Sequence, residues 1–211
     1  MRVFRYEWQI RMKRIFLIVV LTMMYITSAF CQKTDGYGFE DGCLTVVDAG
    51  VGASIGRYGD KARSVYISHI TPFADSFFLG VGFGFHHLQE YQTTSLPLYL
   101  EARYYFVDKP FSPFVDLKAG TYFYLSTDRV NTDQEYSIAK GKKKEAKDCP
   151  LFFSPSIGAK WRIADSFGLQ ATLSDAEYMM CVYNENAKKY SNRFVGSLTF
   201  SLGIYFQIAG F

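Results

Sequence analysis

The stretch FVGSLTFSLGIYFQI, residues 194–208, decides the fold class because bulky apolar side chains alternate in it with small or polar ones. One row is bulky and apolar apart from one glycine: Phe194, Gly196, Leu198, Phe200, Leu202, Ile204, Phe206 and Ile208. The other row is mostly small or polar: Val195, Ser197, Thr199, Ser201, Gly203, Tyr205 and Gln207. Successive side chains of a β-strand point to opposite faces, so this period of two predicts a strand with one apolar and one polar face. It is longer than an ordinary globular strand of about five or six residues.

The same period recurs along the chain after residue 40. Three more segments alternate clearly: 96–107, 114–123 and 153–163. Four alternate less regularly and bring the predicted strands to eight: 43–56, 62–71, 76–88 and 167–181. Tight connections near 72–75, 108–110 and 164–166 take turns with mostly longer ones at 57–61, 89–95, 126–149 and 182–192. An even number of strands with short turns at one rim and longer loops at the other is typical of an outer-membrane barrel.

The two kinds of face distinguish a membrane barrel from a soluble one. A lipocalin-like barrel also has eight strands, but its bulky apolar face would point inward. The glycines and serines would then lie on the outside, and nothing in a soluble barrel requires small residues there. In a membrane barrel the bulky face contacts lipid, and small residues fit inside a lumen too narrow for large ones. The sequence therefore predicts an all-β fold, an eight-stranded antiparallel up-and-down transmembrane β-barrel, with the lipocalin-like barrel as the alternative.

The N-terminal 31 residues have the composition of a secretory signal. Basic residues precede an apolar run at 15–26, and Ala29 and Cys31 fit the positions of small residues before a cleavage site. We therefore expect residues 1–31 to be a cleaved signal peptide and residues 32–211 to be the barrel domain. A lipoprotein attached through Cys31 is less favoured, because the bulky Phe30 precedes the cysteine.

Composition and charge exclude several other classes. With 49% hydrophobic and 18% aromatic residues, the chain is too apolar for a disordered protein. Only the N-terminal run approaches the length and apolarity of a membrane-spanning helix, which excludes a helical membrane bundle. The formal net charge is +3 for the whole chain but −1 without residues 1–31, so nucleic-acid binding is not expected.

Three architectural segments are specific enough to indicate a family: LPLYLEARYYF at 96–106 with FSPFV at 111–115, FSPSIG at 153–158, and SLTFSLGIYF at 197–206. They resemble the small outer-membrane β-barrels of Gram-negative bacteria, the porin-like or OmpA/OmpX-like single-domain barrels. The resemblance covers residues 36–208 and implies an outer-membrane location. On this basis we expect a monomer, inserted by the barrel-assembly machinery and in contact with outer-membrane lipids and lipopolysaccharide. The resemblance carries over no catalytic residues, and we expect no metal and no cofactor.

Six charged residues fall on the small, polar face of the predicted strands: Glu101, Arg103, Asp116, Lys118, Lys160 and Arg162. A two-residue loop at 109–110 sets Arg103 opposite Asp116 and Glu101 opposite Lys118. Sliding the pairing by two residues would set Glu101 opposite Asp116, and like charges directly opposite each other are destabilising. We therefore predict ion pairs that fill the lumen, with a small wet pore lined by the same charges as the alternative.

Two adjacent histidines are the candidates for chemistry. His86 and His87 end the third predicted strand, with Glu90 and Ser95 in the loop beyond. A histidine, a serine and a carboxylate at this rim would fit a lipid-modifying enzyme, since acyl-ester chemistry needs an activated hydroxyl. No second motif supports this, and one of two neighbouring residues must face lipid, so polar capping of a strand is the favoured interpretation. His69, in the middle of a strand, is expected to be a hydrogen-bonding residue of the lumen.

The favoured function is a non-enzymatic outer-membrane barrel that contributes to envelope structure or surface contact through its extracellular loops. A lipid-modifying enzyme and a narrow channel for small solutes are the alternatives. The basic run at 140–147, in the longest loop, is a candidate contact for lipopolysaccharide phosphates, although nearby acidic residues nearly balance its charge.

The cysteines allow one disulfide prediction. A tight turn that sets Ile163 opposite Phe167 also sets Cys149 opposite Cys181. Directly opposed cysteines on antiparallel strands reach bridging distance, and an exported protein is in a disulfide-permissive setting. The predicted bridge would lie in an extracellular extension of this hairpin and would leave Cys43 as a free thiol near the periplasmic start of the first strand.

Overall fold

The computed structural model describes residues 42–56, 59–127, 136–138, 150–184 and 189–208. In these residues the chain forms nine strands: β1 (Cys43–Ile55), β2 (Ala62–Ala74), β3 (Phe77–Leu88), β4 (Thr93–Tyr105), β5 (Phe111–Thr127), β6 (Tyr136–Ile138), β7 (Leu151–Ala164), β8 (Phe167–Asn184) and β9 (Lys189–Ile208). This described part of the chain contains no helical segment of sufficient length and apolarity to cross a bilayer. The expected signal peptide, residues 1–31, lies outside the described residues.

Eight of these strands close into a barrel in which all neighbours are antiparallel. Strands β1 to β5 pair in chain order, β5 pairs with β7, and β7, β8 and β9 follow in order. Pairing of β9 with β1 closes the sheet and removes its edges. The predicted eight-stranded up-and-down barrel is therefore confirmed. The short β6 belongs to the longest loop and pairs with the outer end of β8.

The two faces of the wall follow the alternation of the sequence. In β9 the small or polar row is buried inside the barrel, including Ser197, Thr199 and Ser201. On the outside, Phe200 and Leu202 are 49% and 61% exposed, and the outward rows of the other strands are likewise mostly large and apolar. So extensive an exposed apolar surface is unfavourable in water and is satisfied by lipid. The wall is that of a transmembrane barrel, which excludes the lipocalin-like alternative.

The strand ends define the two rims of the barrel. Cys43 at the start of β1 pairs with Ile208 at the end of β9, and the short turns β2–β3, β4–β5 and β7–β8 lie at this same end. Short turns mark the periplasmic rim of outer-membrane barrels, and longer loops mark the outer rim. The loops that follow β1, β3, β5 and β8 therefore lie at the outer rim.

The register of the β4–β5 hairpin is the predicted one. Glu101 is opposite Lys118, and Arg103 is opposite Asp116. The connection between the two strands is longer than the predicted two-residue loop, because it comprises residues 106–110. Charge complementarity thus identified the register although the turn itself was misjudged.

The β7–β8 hairpin differs from the prediction at its turn. Ala164, rather than Ile163, is opposite Phe167, because an irregularity in β7 accommodates an extra residue there. Above the turn the pairing returns to the predicted register as far as Phe152 and Tyr178.

The structure describes only part of the residues in the disulfide prediction. Cys149 lies outside the described residues, and Cys181 is described only by its backbone pairing with Asn192, so their bridge stays a prediction. Cys43 is disulfide-bonded, so the expectation of a free thiol is wrong, and its partner lies outside the described side chains. Because the chain has four cysteines, this bond and a Cys149–Cys181 bridge coexist only if Cys31 is retained.

Candidate functional site

Four charged side chains occupy the middle of the barrel lumen. Glu101 and Arg103 come from β4, Asp116 and Lys118 come from β5, and all four are buried. They share the inward rows because residues two apart on a strand point to the same face. The structure thus brings together four of the six charges that the sequence placed in the lumen.

Contacts among these charges run along the strands as well as across them. Arg103 Nη2 donates to Glu101 Oε1 at 2.7 Å, and Lys118 Nζ donates to Asp116 Oδ1 at 3.0 Å, each within one strand. The cross-strand contact from Arg103 Nη2 to Asp116 Oδ2 is longer, at 3.4 Å. Glu101 and Lys118 are opposite in register, but no ion pair of the described residues joins them. Long side chains in a narrow lumen reach their neighbours on the same strand, so the expected ladder is a compact cluster.

The cluster extends to strands that are far apart in the sequence. Arg103 Nη1 donates to Gln170 Oε1 of β8 at 2.9 Å, and Gln170 Nε2 donates to Asp48 Oδ1 of β1 at 2.7 Å. The hydroxyl of Ser156 in β7 donates to Asp116. We call Asp48, Glu101, Arg103, Asp116, Lys118 and Gln170 the charge cluster.

Asp48 and Gln170 were not among the residues expected from the sequence. Asp48 shares its face of β1 with Gly50 and Gly52, so strand parity is a signal that could have identified it. The Asp48 carboxylate lies against Gly203 of β9, which is opposite it in the register. A Cβ added to Gly203 would collide with this carboxylate. Contacts through the lumen join strands that are not neighbours, so no pairing register predicts them.

Aromatic side chains close the lumen above and below the charge cluster. The periplasmic aromatic layer contains Phe78, Tyr105, Phe114 and Tyr205, packed with aliphatic residues. The outer aromatic layer contains Tyr66, Tyr99, Tyr122, Phe152 and Tyr178. Ring centroids in the outer layer lie 5.0 to 6.2 Å apart, which is the range of favourable aromatic pairs. The described lumen is therefore a packed interior in three layers.

Lys160 and Arg162, also predicted for the lumen, both come from β7, and Lys160 is opposite Gln170 of the charge cluster in the β7–β8 register. Lys160 Nζ is 4.3 Å from the ring centroid of Tyr105 and 5.6 Å from that of Tyr205, a cation–π arrangement in the periplasmic aromatic layer. Arg162 lies nearer the periplasmic rim, where its side chain is 30% exposed and its Nη2 is 3.9 Å from Asp108 Oδ1. A partly exposed pair at this distance contributes little to stability.

The candidate histidine site lacks the geometry of a nucleophile and a base. His86 points into the lumen, and its Nδ1 is 3.0 Å from the hydroxyl of Tyr66. His87 points outward, and its Nδ1 is 3.0 Å from Thr94 Oγ1. Ser95 Oγ donates to the backbone carbonyl of His86 at 3.4 Å instead of to an imidazole. The two histidines thus lie on opposite sides of the wall, and neither is seen to activate the serine.

Glu90, the carboxylate considered for that site, is held through its backbone. Its N–H donates to both carboxylate oxygens of Asp60, at 2.9 and 3.0 Å, and the Tyr91 N–H donates to Asp60 Oδ2 at 3.1 Å. Asp60 is completely buried, and its own N–H donates to the Gly196 carbonyl at 3.2 Å. Asp60 therefore ties the loop after β1 to the loop after β3 and to β9, forming a brace at the outer rim.

His69 lies on the outside of the wall and not in the lumen. Its neighbours Ser68 and Ile70 point inward, and His69 is opposite Thr45 of β1. Its Nδ1 is 2.9 Å from Thr45 Oγ1. The expected hydrogen-bonding role is present, but the expected location is wrong, because the irregular alternation of β2 did not show which row faces inward.

Two further kinds of site concern metals and anionic lipids. Within the described ranges, no three His, Cys, Asp or Glu side chains are grouped so that they could hold a metal ion. The basic run at 140–147 lies outside the described residues, so its contact with lipopolysaccharide stays a prediction. The hydrogen bonds of the charge cluster join its members to one another and to Tyr105 and Ser156 of the lumen, and such an arrangement is suited to closing a lumen.

Solved structures with the same architecture are small outer-membrane barrels. Neisserial surface protein A (NspA) matches with a TM-score of 0.57 and 14% identity, over 79% of this chain and 97% of that chain. OprG of Pseudomonas aeruginosa matches with a TM-score of 0.47 and 13% identity, over 82% and 100% of the two chains. The outer membrane enzyme PagL matches with a TM-score of 0.46 and 18% identity, over 77% and 99%. No protein-family model matches the chain, and no curated protein matches it in sequence.

The fold correspondence rests on the match to NspA. Together with the apolar outward face, it shows that the chain has the fold of the small outer-membrane β-barrels and the outer surface of a barrel embedded in a membrane.

Proposed function

We propose that the protein is a non-enzymatic, non-conducting barrel that contributes to envelope structure or to surface contact through its extracellular loops. The observation that carries this proposal is the filled lumen, in which the charge cluster lies between two aromatic layers. Eight strands enclose an interior that side chains can just fill. A barrel of this kind acts through its presence in the membrane and through its loops. We also expect insertion as a monomer by the barrel-assembly machinery and contact with lipopolysaccharide.

The contacts of two residues argue against the two alternatives. A solute channel needs a continuous wet path, whereas Arg103 is fully buried and contacts Glu101, Asp116 and Gln170 at once. A lipid-modifying enzyme needs an activated nucleophile, whereas the Ser95 hydroxyl donates to a backbone carbonyl.

Conductance measurements test the closed lumen. Purified protein in planar bilayers is expected to give no current steps above the lipid background, with a known porin as the positive control. The folded state of the same purified protein is verified by its migration on unheated SDS gels, where folded barrels run anomalously. Reproducible current steps from the inserted protein would contradict the proposal and support the channel.

Lipid analysis tests the absence of enzymatic activity. Lipid A and phospholipids are compared by mass spectrometry in strains that produce wild-type protein, His86→Ala, Ser95→Ala or no protein. We expect identical profiles in all four. A lipid species that appears with the wild type and disappears in either variant would favour the enzyme.

Deletion of the gene tests the envelope role. We expect increased uptake of a hydrophobic dye, restored by the wild type. A variant with residues 139–148 replaced by a short glycine-serine linker separates the two forms of the proposal, because it keeps the barrel and Cys149 and changes the loop. Full restoration by this variant assigns the role to the barrel, whereas loss of restoration assigns it to the loop. No effect of the deletion on dye uptake or on cell-surface adhesion would contradict the proposal.

A further inference from the structure

The disulfide of Cys43 has a partner that the barrel geometry can identify. Cys43 is the first residue of β1 and lies at the periplasmic rim. The structure consists of one chain, whose other cysteines are Cys31, Cys149 and Cys181. A disulfide joins residues whose Cα atoms are at most about 7 Å apart. The positions of the strands therefore decide which of the three can be bonded to Cys43.

Cys181 is excluded because its backbone lies near the opposite end of the barrel. It pairs with Asn192 of β9, whereas Cys43 pairs with Ile208 of the same strand. The stretch of β9 between these two positions is about 50 Å long, at about 3.3 Å per residue. A strand tilt of about 45° still leaves about 35 Å between them along the barrel axis.

Cys149 is excluded because it is bonded directly to Pro150, which precedes the outer end of β7. This strand runs from Leu151 to Ala164, at the periplasmic turn, over a length of about 43 Å. Two residues of extended chain beyond Leu151 reach only about 7 Å. The Cys149 sulfur therefore cannot reach Cys43 at the periplasmic rim.

Cys31 is the cysteine that remains, and its place in the sequence allows the bond. The chain from residue 31 to residue 43 is short, so closing it into a loop costs little entropy. The burial of Cys43 agrees with a bonded sulfur. Cys43 belongs to the outward row of β1, in which Val47 and Val51 are 37% and 66% exposed, yet it is only 1% exposed itself.

A bonded Cys31 changes the interpretation of the signal sequence. Cleavage directly after Cys31 would remove it, and acylation would convert its thiol into a thioether that cannot form a disulfide. Thr27 and Ala29 offer a second pair of small residues at the spacing that signal cleavage requires. Cleavage after Ala29 keeps Cys31 in the mature chain.

We propose that the signal is removed after Ala29 and that Cys31, the second residue of the mature chain, forms a disulfide with Cys43. Hydrolysis of the Ala29–Phe30 peptide bond frees a carboxylate and the new amino terminus. The two thiols then lose two protons and two electrons to the disulfide of a periplasmic thiol oxidoreductase, which becomes a dithiol. The bond fastens the mature N-terminus to the seam between β1 and β9, where the barrel closes.

Peptide mapping of protein isolated from outer membranes tests the proposal. The precursor is produced from its full coding sequence, free thiols are blocked during lysis, and the protein is denatured and digested with trypsin without reduction. Lys33 and Arg57 flank the segment that contains Cys43. We therefore expect peptide 30–33, beginning at Phe30, linked to peptide 34–57, and expect reduction to separate the two.

Two serine variants test the pairing by thiol labelling of peptide 34–57. Cys31→Ser should leave Cys43 free and labelled by a maleimide, whereas Cys181→Ser, the matched control, should leave Cys43 blocked as in the wild type. All proteins are first checked for folded migration on unheated gels. A wild-type chain that begins at Gln32, an acyl thioether on Cys31, a free Cys43, or Cys43 linked to Cys149 or Cys181 would each overturn the proposal.

Discussion

Replacing Arg103 by methionine perturbs the charge cluster at its most connected member. Methionine keeps much of the side-chain length but removes the charge and its donors. The guanidinium contacts Glu101 at 2.7 Å, Gln170 at 2.9 Å and Asp116 at 3.4 Å, and lies 4.3 Å from the ring centroid of Phe114. Its removal leaves Glu101 without its closest partner and leaves Asp116 with Lys118 as its remaining cation.

The expected loss follows from these buried contacts. Arg103→Met should lower the free energy of unfolding by about 3 to 5 kcal/mol, because removing one partner of a buried ion pair leaves an uncompensated charge. Adding Glu101→Gln removes one of the excess negative charges and should recover about 1 to 3 kcal/mol. Exchanging the cross-strand pair, by Arg103→Asp with Asp116→Arg, should give no rescue. It places two carboxylates together on β4 and two cations together on β5.

Urea unfolding of the protein in phospholipid vesicles measures these differences. Emission from Trp161, which lies on the lipid-facing wall, and folded migration on unheated SDS gels serve as two independent signals. Lys109→Met is the matched control, since this lysine is exposed in the connection between β4 and β5, and should cost less than about 1 kcal/mol. The reasoning is refuted if Arg103→Met is as mild as this control, or if adding Glu101→Gln recovers nothing.

Three other predictions concern the rims and the wall. Asp60→Ala should cost about 1 to 3 kcal/mol by leaving buried N–H groups without an acceptor, and should speed proteolysis of the outer loops; unchanged cleavage would contradict the brace. Gly203→Ala should cost about 1 to 3 kcal/mol in the same urea titration, because its Cβ collides with the Asp48 carboxylate, and wild-type stability would show that this contact is not tight. In protein that retains Cys31, peptide mapping without reduction should recover Cys149 linked to Cys181, whereas free thiols at both positions, or either cysteine linked to Cys43, would rule the bridge out.

The fold and part of the lumen could be predicted from strand parity and charge. Strict alternation in residues 194–208 identified which row of β9 faces lipid, because a strand has only two faces and the two rows differ in size and polarity. Charge complementarity identified the β4–β5 register, since a shift by two residues would have opposed Glu101 to Asp116. Where alternation was irregular, as around His69, parity was ambiguous and the assignment failed.

Local chain properties therefore determined the class of fold, the lipid-facing rows of the regularly alternating strands and the register of the β4–β5 hairpin, because each depends on residues close in sequence or on one hairpin. Only the tertiary structure decided how the lumen is filled. Closure of the barrel brings Asp48 of β1 and Gln170 of β8 to Arg103 of β4, although these strands do not pair with β4. It also decided that Arg103 contacts Glu101 more closely than the Asp116 opposite it, since side-chain length and the narrow lumen, and not backbone register, determine which charged atoms meet.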